Sequence, residues 1–138
     1  NLRLIKKVTT MKLKLIRRMI GIALLGLISQ FAMADNRSSA TEIASIVASM
    51  NHFASDADKA KLMAIAADDS LAAGVRAMAN AVHNIAHAAN AEGKAAMASI
   101  VGNAESPDPA KTLAGIIASF NHMASADDKA KLSTTFGL

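Results

Sequence analysis

Residues 43–62 and 113–132 carry the same amino acid at thirteen of twenty positions, seventy residues apart. The shared stretches include Asn51-His52 with Asn121-His122, and Asp58-Lys59-Ala60-Lys61-Leu62 with Asp128-Lys129-Ala130-Lys131-Leu132. Halving the offset uncovers a more divergent middle copy over 78–97, where Ala79, Val82, His87, Ala89, Lys94 and Ala95 repeat their first-copy counterparts. The unit is therefore 35 residues long, with copies near 43–77, 78–112 and 113–138. A period of this size belongs to architectures in which one supersecondary unit cannot bury its apolar face alone and relies on its neighbours.

Each unit reads as two helices. Ile43, Ile46, Val47, Met50 and Phe53/Ala54 share one face, and Ser39-Ala40-Thr41-Glu42 has the form of a capping box ahead of them. Ser55 with Asp58 looks like a fresh N-cap, which predicts a turn after Ala54 and a second helix near 56–67. Asp68-Asp69-Ser70 breaks that helix and is placed to cap the next, where Leu71, Val75, Met78, Val82, Ile85 and Ala89 keep a helical spacing. A further helix is predicted near 91–101, with Gly93 as its weak point. The loop Gly102–Pro109 follows, with Asp108 able to cap and Pro109 suited to the first helical position. Leu113, Ile116, Ile117, Phe120 and Met123 form the last long stripe, and Ser125-x-x-Asp128 repeats the first unit's cap. The expected fold is all-α: six helices in three αα-hairpins of about 35 residues, either a short solenoid or a closed helical bundle.

The N-terminal quarter has a different character. Met11 to Ala34 holds a basic start (Lys12, Lys14, Arg17, Arg18), an apolar run from Met19 to Ile28, and the small-residue end Ala32-Met33-Ala34 before Asp35. Those are the three parts of a cleavable signal peptide. A membrane span needs roughly 20 apolar residues, and Ser29 and Gln30 interrupt this run far short of that. Cleavage is expected between Ala34 and Asp35, and membrane contact only transiently, during export to a bacterial periplasm or beyond. Residues 1–10 begin at Asn1 and add basic residues a signal peptide does not need, so they read as a dispensable upstream segment.

Removing that leader reverses the charge. The whole chain is +4, but residues 35–138 hold eight Lys/Arg against eleven Asp/Glu, a net −3. The basicity that would suggest nucleic acid belongs to the leader, so a nucleic-acid partner is not expected. There is no cysteine, hence no disulfide and no thiol chemistry. Alanine supplies 28 residues of 35–138. That favours helix but thins the core, which motivates a homo-oligomer in which subunits share apolar contact.

The chemistry-bearing residues are the histidines. His52, His87 and His122 hold the same place in every unit, and His83 precedes His87 by four. A His83–His87 pair on one helix face could chelate Zn²⁺ or Cu²⁺, although two imidazoles are only half of a tetrahedral site. Against this stands a plain role for the repeated histidine, bonding the last carbonyls of its unit's first helix. Met50, Met78 and Met97 align with Ile, Leu or Phe in other copies and read as core filler rather than copper ligands. Lys59, Lys94 and Lys129 also repeat and read as solvated positions at helix starts. Ser49 and Ser119 lie three residues before a histidine, yet no orienting third group or Gly-rich loop accompanies them, and a catalytic assignment is not made. No catalytic residue and no organic cofactor are expected. The leading expectation is a non-enzymatic protein- or peptide-binding or structural protein of the cell envelope. Its partner would contact the recurring polar stripe that contains Ser49, His52, Asn84, His87, Ser119 and His122. The alternative is a periplasmic Zn- or Cu-binding protein using His83 and His87.

Overall fold

The computed structural model describes residues 33–138. The leader assigned to 11–34 thus lies outside the described residues except for its last two positions. The compact unit formed by Asp35–Leu138 is the fold discussed below.

Six helices make up this unit among the described residues: α1 (33–49), α2 (Asp56–Ala67), α3 (Ala73–His83), α4 (Ala91–Gly102), α5 (Asp108–Ser119) and α6 (Ala126–Phe136). They form three hairpins at the spacing of the repeat, with no sheet. Packing runs between hairpins as well as within them: α2 lies on α3, α4 on α5, and α3 touches α5 directly.

The nine largest fully buried side chains are three complete sets of repeat equivalents: Ile43/Met78/Leu113, Val47/Val82/Ile117 and Leu62/Met97/Leu132. Each set takes one side chain from every hairpin: the first two sets sit on α1, α3 and α5, and the third on α2, α4 and α6, which do not touch one another. Ala44, Ala79 and Ala114 are completely buried beside them. A methyl there lets helices approach closely, which is how an alanine-rich chain reaches interior packing density. Met50, Met78 and Met97 are all buried, as the repeat comparison predicts.

Local chemistry explains the helix boundaries. Ser55 and Ser125 cap α2 and α6 by accepting from the Asp58 and Asp128 amides, and each hydroxyl donates back to the same aspartate at 2.8 Å. Asn90 does the same for α4, accepting from Gly93 N at 2.7 Å. Gly93 is buried, and a Cβ there would stand 3.1 Å from that capping oxygen and 3.5 Å from Ala81. The expected weak point is therefore where α4 comes close to α3.

Four sequence expectations need correction. The Ser39–Glu42 capping box does not form, because α1 already runs through it and Thr41 bonds the Arg37 carbonyl instead. Ser70 does not cap α3. Its amide and hydroxyl both bond Asp68, while the Ala72 amide is met by Asn36 Oδ1 from α1 at 2.8 Å. The α5 helix starts one residue early, at Asp108 after Pro107. Phe53 was expected on the core face but is 57 % exposed. The helix stops before it, and helical periodicity no longer governs where its side chain goes.

Candidate metal centre

The first helix of every hairpin ends within one residue of the same repeat position, where a polar side chain folds back on its last turn. Ser49 Oγ bonds the Ser45 and Ile46 carbonyls, Ser119 Oγ bonds the Ile116 carbonyl, and Asn84 Nδ2 bonds the Asn80 carbonyl. The Ile46 and Asn80 carbonyls also accept the backbone amides of Met50 and Asn84, at 2.8 and 3.2 Å. The polar groups of Ser49, Asn84 and Ser119, three of the residues expected on sequence to contact a partner, are thus directed onto their own helices.

Past each helix end the chain makes a tight excursion with a histidine at its apex. His52, His87 and His122 have φ of 66°, 69° and 64°, and they are the only non-glycine residues with positive φ among those described. The amides of Phe53 and Met123 reach back to the carbonyls of Asn51 and Asn121, both at 2.8 Å, and Ala86 pairs with Ala88 in the middle unit. A bond from i+1 back to i−1 around a positive-φ centre is a γ-turn of the uncommon, strained kind. Each turn is anchored on both sides. Met50, Ile85 and Phe120 lie two residues before the histidines, Ala54, Ala89 and Ala124 two residues after, and all six are buried.

The three turns meet. His52 N donates to His122 O at 2.5 Å, His87 N to His52 O at 2.8 Å, and His122 N to His87 O at 2.6 Å. This closed ring of three backbone hydrogen bonds decides between the two arrangements left open by the sequence: the hairpins close into a bundle around a pseudo-threefold axis. The imidazoles gather at the same point. Their centroids are 5.0 Å (His52–His87), 4.9 Å (His52–His122) and 5.2 Å (His87–His122) apart, packed edge to face. One ring nitrogen from each lies within 4.8 Å of the others. His52 is half-buried, while His87 and His122 are exposed.

An atom equidistant from three corners 4.8 Å apart is about 2.8 Å from each. Each nitrogen must then move inward by roughly 0.7 Å to reach a Zn–N bond of about 2.1 Å, within the reach of a χ1/χ2 adjustment of an exposed side chain. Asn121 Oδ1 lies 2.6 Å from His122 Nδ1, a contact that orients this ring as outer partners of metal-binding histidines do.

The expected His83–His87 pair fails at its premise. The α3 helix ends at His83, so four residues no longer place both rings on one helix face. His83 Nδ1 instead lies 3.3 Å from Asn84 Oδ1. The structure groups His87 with His52 and His122, the histidines that share its place in the 35-residue repeat, rather than with His83. What the recurrence lacks is closure, since identical positions converge only if the repeats surround an axis.

No family model matches the chain, and neither does any curated protein or solved structure. Among the described residues no helix is long and apolar enough to cross a membrane.

Proposed function

We propose that this is a metal-binding protein whose centre is the triad His52, His87 and His122, taking one borderline divalent ion such as Zn²⁺ or Cu²⁺ per chain. The observation that carries this reading is the backbone conformation of the three ligands. At positive φ, glycine is the least strained residue, and a β-carbon there costs on the order of 1–2 kcal/mol. The chain bears that strain three times, each time with histidine. The hydrogen-bonded ring does not require it, because the ring uses only amides and carbonyls. The imidazoles are therefore surplus to the closure, and their convergence within 4.8 Å is what a three-coordinate nitrogen site needs. Strain held at a place where potential ligands meet supports a functional rather than a structural role.

This favours the metal alternative over partner binding through the polar stripe, since Ser49, Asn84 and Ser119 already serve their own helix ends. Export to a periplasm, expected from residues 11–34, is kept as part of the proposal.

The test is equilibrium dialysis of the full chain against Zn²⁺ and Cu²⁺ with metal analysis. One ion per chain is expected. Affinity should fall by roughly two orders of magnitude in each of His52→Ala, His87→Ala and His122→Ala, because each removes one of three ligands. His83→Ala should bind like the parent. Equal binding by the parent and all three variants, or loss in His83→Ala alone, refutes the assignment.

A further inference from the structure

The triad supplies three ligands where a borderline divalent ion takes four. Among the described residues, no carboxylate joins His52, His87 and His122 in a potential ligand group. The buried anchors at both ends of each turn place the core on one side of the ring, and His87 and His122 are open to solvent. Resting on the metal reading above, we propose that the loaded triad keeps a fourth position facing solvent, where an exchangeable water sits and a small monodentate anion takes its place.

Three further observations bear on that position. The residues flanking the histidines are Asn51 and Phe53, Ala86 and Ala88, Asn121 and Met123. Phe53 and Met123 are large, apolar and more than half exposed, whereas the middle copy has only methyl groups on both sides of His87. The site is thus flanked by bulk at two histidines and left clear at the third, and access lies over Ala86 and Ala88. Of the flanking side chains, the Asn121 oxygen is engaged by His122 Nδ1 and the Met123 thioether is too soft for Zn²⁺ or Co²⁺, so the neutral Asn51 amide oxygen is the protein group that competes with water for the position. Finally, the Lys59 ammonium stands 5.8 Å from the centre of the Phe53 ring, a positive charge beside the rim. The carboxylates of Asp58 and Asp128 are held by the Ser55 and Ser125 hydroxyls at the starts of α2 and α6. An anion is the ligand this surrounding favours.

Zinc filling three protein ligands and one water is the coordination of zinc enzymes rather than of structural zinc, which is closed by four protein ligands. The chemical class that follows is a small anion: hydroxide, azide, bicarbonate or a simple carboxylate.

The experiment is a titration of the Co²⁺-loaded full chain with sodium azide, followed by the visible d–d absorption. Bands of four-coordinate Co²⁺ that shift saturably with one azide per metal are expected. Ala88→Phe should weaken azide by about tenfold, because it restores the bulk found beside the other two histidines, while Co²⁺ affinity stays the same. Metal bands that ignore azide overturn this inference and leave the metal reading standing. In that case a spectral change in Asn51→Ala, Asn121→Ala or Met123→Leu would identify the protein group that fills the position. Absence of any Co²⁺ band at stoichiometric loading overturns both.

Discussion

The backbone amide of His52 donates to the carbonyl of His122 at 2.5 Å, joining the first hairpin to the third across seventy residues of sequence. In an open solenoid the end units never meet, and stability is a sum over neighbouring pairs. Here every hairpin has two neighbours, because the ring of backbone bonds links each of the three turns to the other two. Unfolding is accordingly expected to be a single cooperative event. Native-state hydrogen exchange should give the buried amides of α1, α3 and α5 one common opening free energy, whereas fraying of the first or last hairpin would show stepwise values.

Replacing the triad by glycine separates its structural role from its functional one. Removing the positive-φ strain gains on the order of 1 kcal/mol per site, while glycine loses about 0.5–1 kcal/mol through the entropy of the unfolded chain. Each of His52→Gly, His87→Gly and His122→Gly should thus be neutral or up to about 0.5 kcal/mol more stable, and none should bind metal tightly. Chemical denaturation and dialysis on the same samples check this. A loss above about 2 kcal/mol would mean that the imidazole contacts themselves hold the fold.

Leu62, Met97 and Leu132 are fully buried, one on the second helix of each hairpin. Leu62→Ala should cost about 2–5 kcal/mol, because the helices around it can collapse only partly into the space. Leu62→Ala with Leu132→Ala should equal the sum of the single changes within about 0.5 kcal/mol, since α2 packs on α3 and α6 on α5 and the two helices do not touch. A double variant that departs from that sum by more than about 1 kcal/mol in urea titrations would show that the two positions are coupled through the core.

Most of the fold is readable in the residues because the repeat averages out local ambiguity. The Ser55/Asp58 and Ser125/Asp128 caps, the α2 boundaries and the core methionines all follow from short-range rules that hold wherever the hairpins are placed. The errors occur where a distant group competes with a local one. Ile85 and Ala89 continue the apolar spacing of α3 and are buried, yet the helix ends at His83 and the chain reaches those core positions by a turn. The candidate centre is half legible for the same reason. Recurrence marks His52, His87 and His122 alike, but the i, i+4 spacing pairs His87 with His83, while His52 and His122 come from turns 35 residues away on either side. Only closure of the bundle, fixed by backbone bonds between those turns, brings the three together.

A long-range cap offers a sharper test of how α1 is tied to the second hairpin. Ala72 precedes α3 and has no capping side chain of its own, and its amide is met by Asn36 Oδ1 at 2.8 Å. Asn36→Ala should cost about 1 kcal/mol, the usual size of a lost N-cap. Asn36→Asp, which keeps the acceptor and adds a charge favourable at a helix N-terminus, should restore or exceed the parent's stability. If both variants unfold at the parent's urea midpoint, this contact contributes nothing to the docking of α1.

The turn between α2 and α3 sets a modest acid limit. Asp68 Oδ1 accepts from the Ser70 hydroxyl at 2.6 Å and from the Ser70 amide at 2.9 Å. These bonds, chiefly the hydroxyl one, hold the Asp68 carboxyl below its ordinary value of 3.8, with a smaller contribution from the charge of Arg76. A carboxyl with a depressed folded-state value binds fewer protons folded than unfolded, so it stabilises the protein above the unfolded value. That contribution is lost as pH falls through the folded one. The carboxyl is fully exposed, and solvent screening keeps the effect small. Ser70→Ala should bring the Asp68 value back toward 3.8, read by carboxyl chemical shifts across an acid titration. The parent's small loss of stability below that pH should be reduced in the variant. An unchanged Asp68 titration in Ser70→Ala would show that the Ser70 hydroxyl is not what holds the carboxylate.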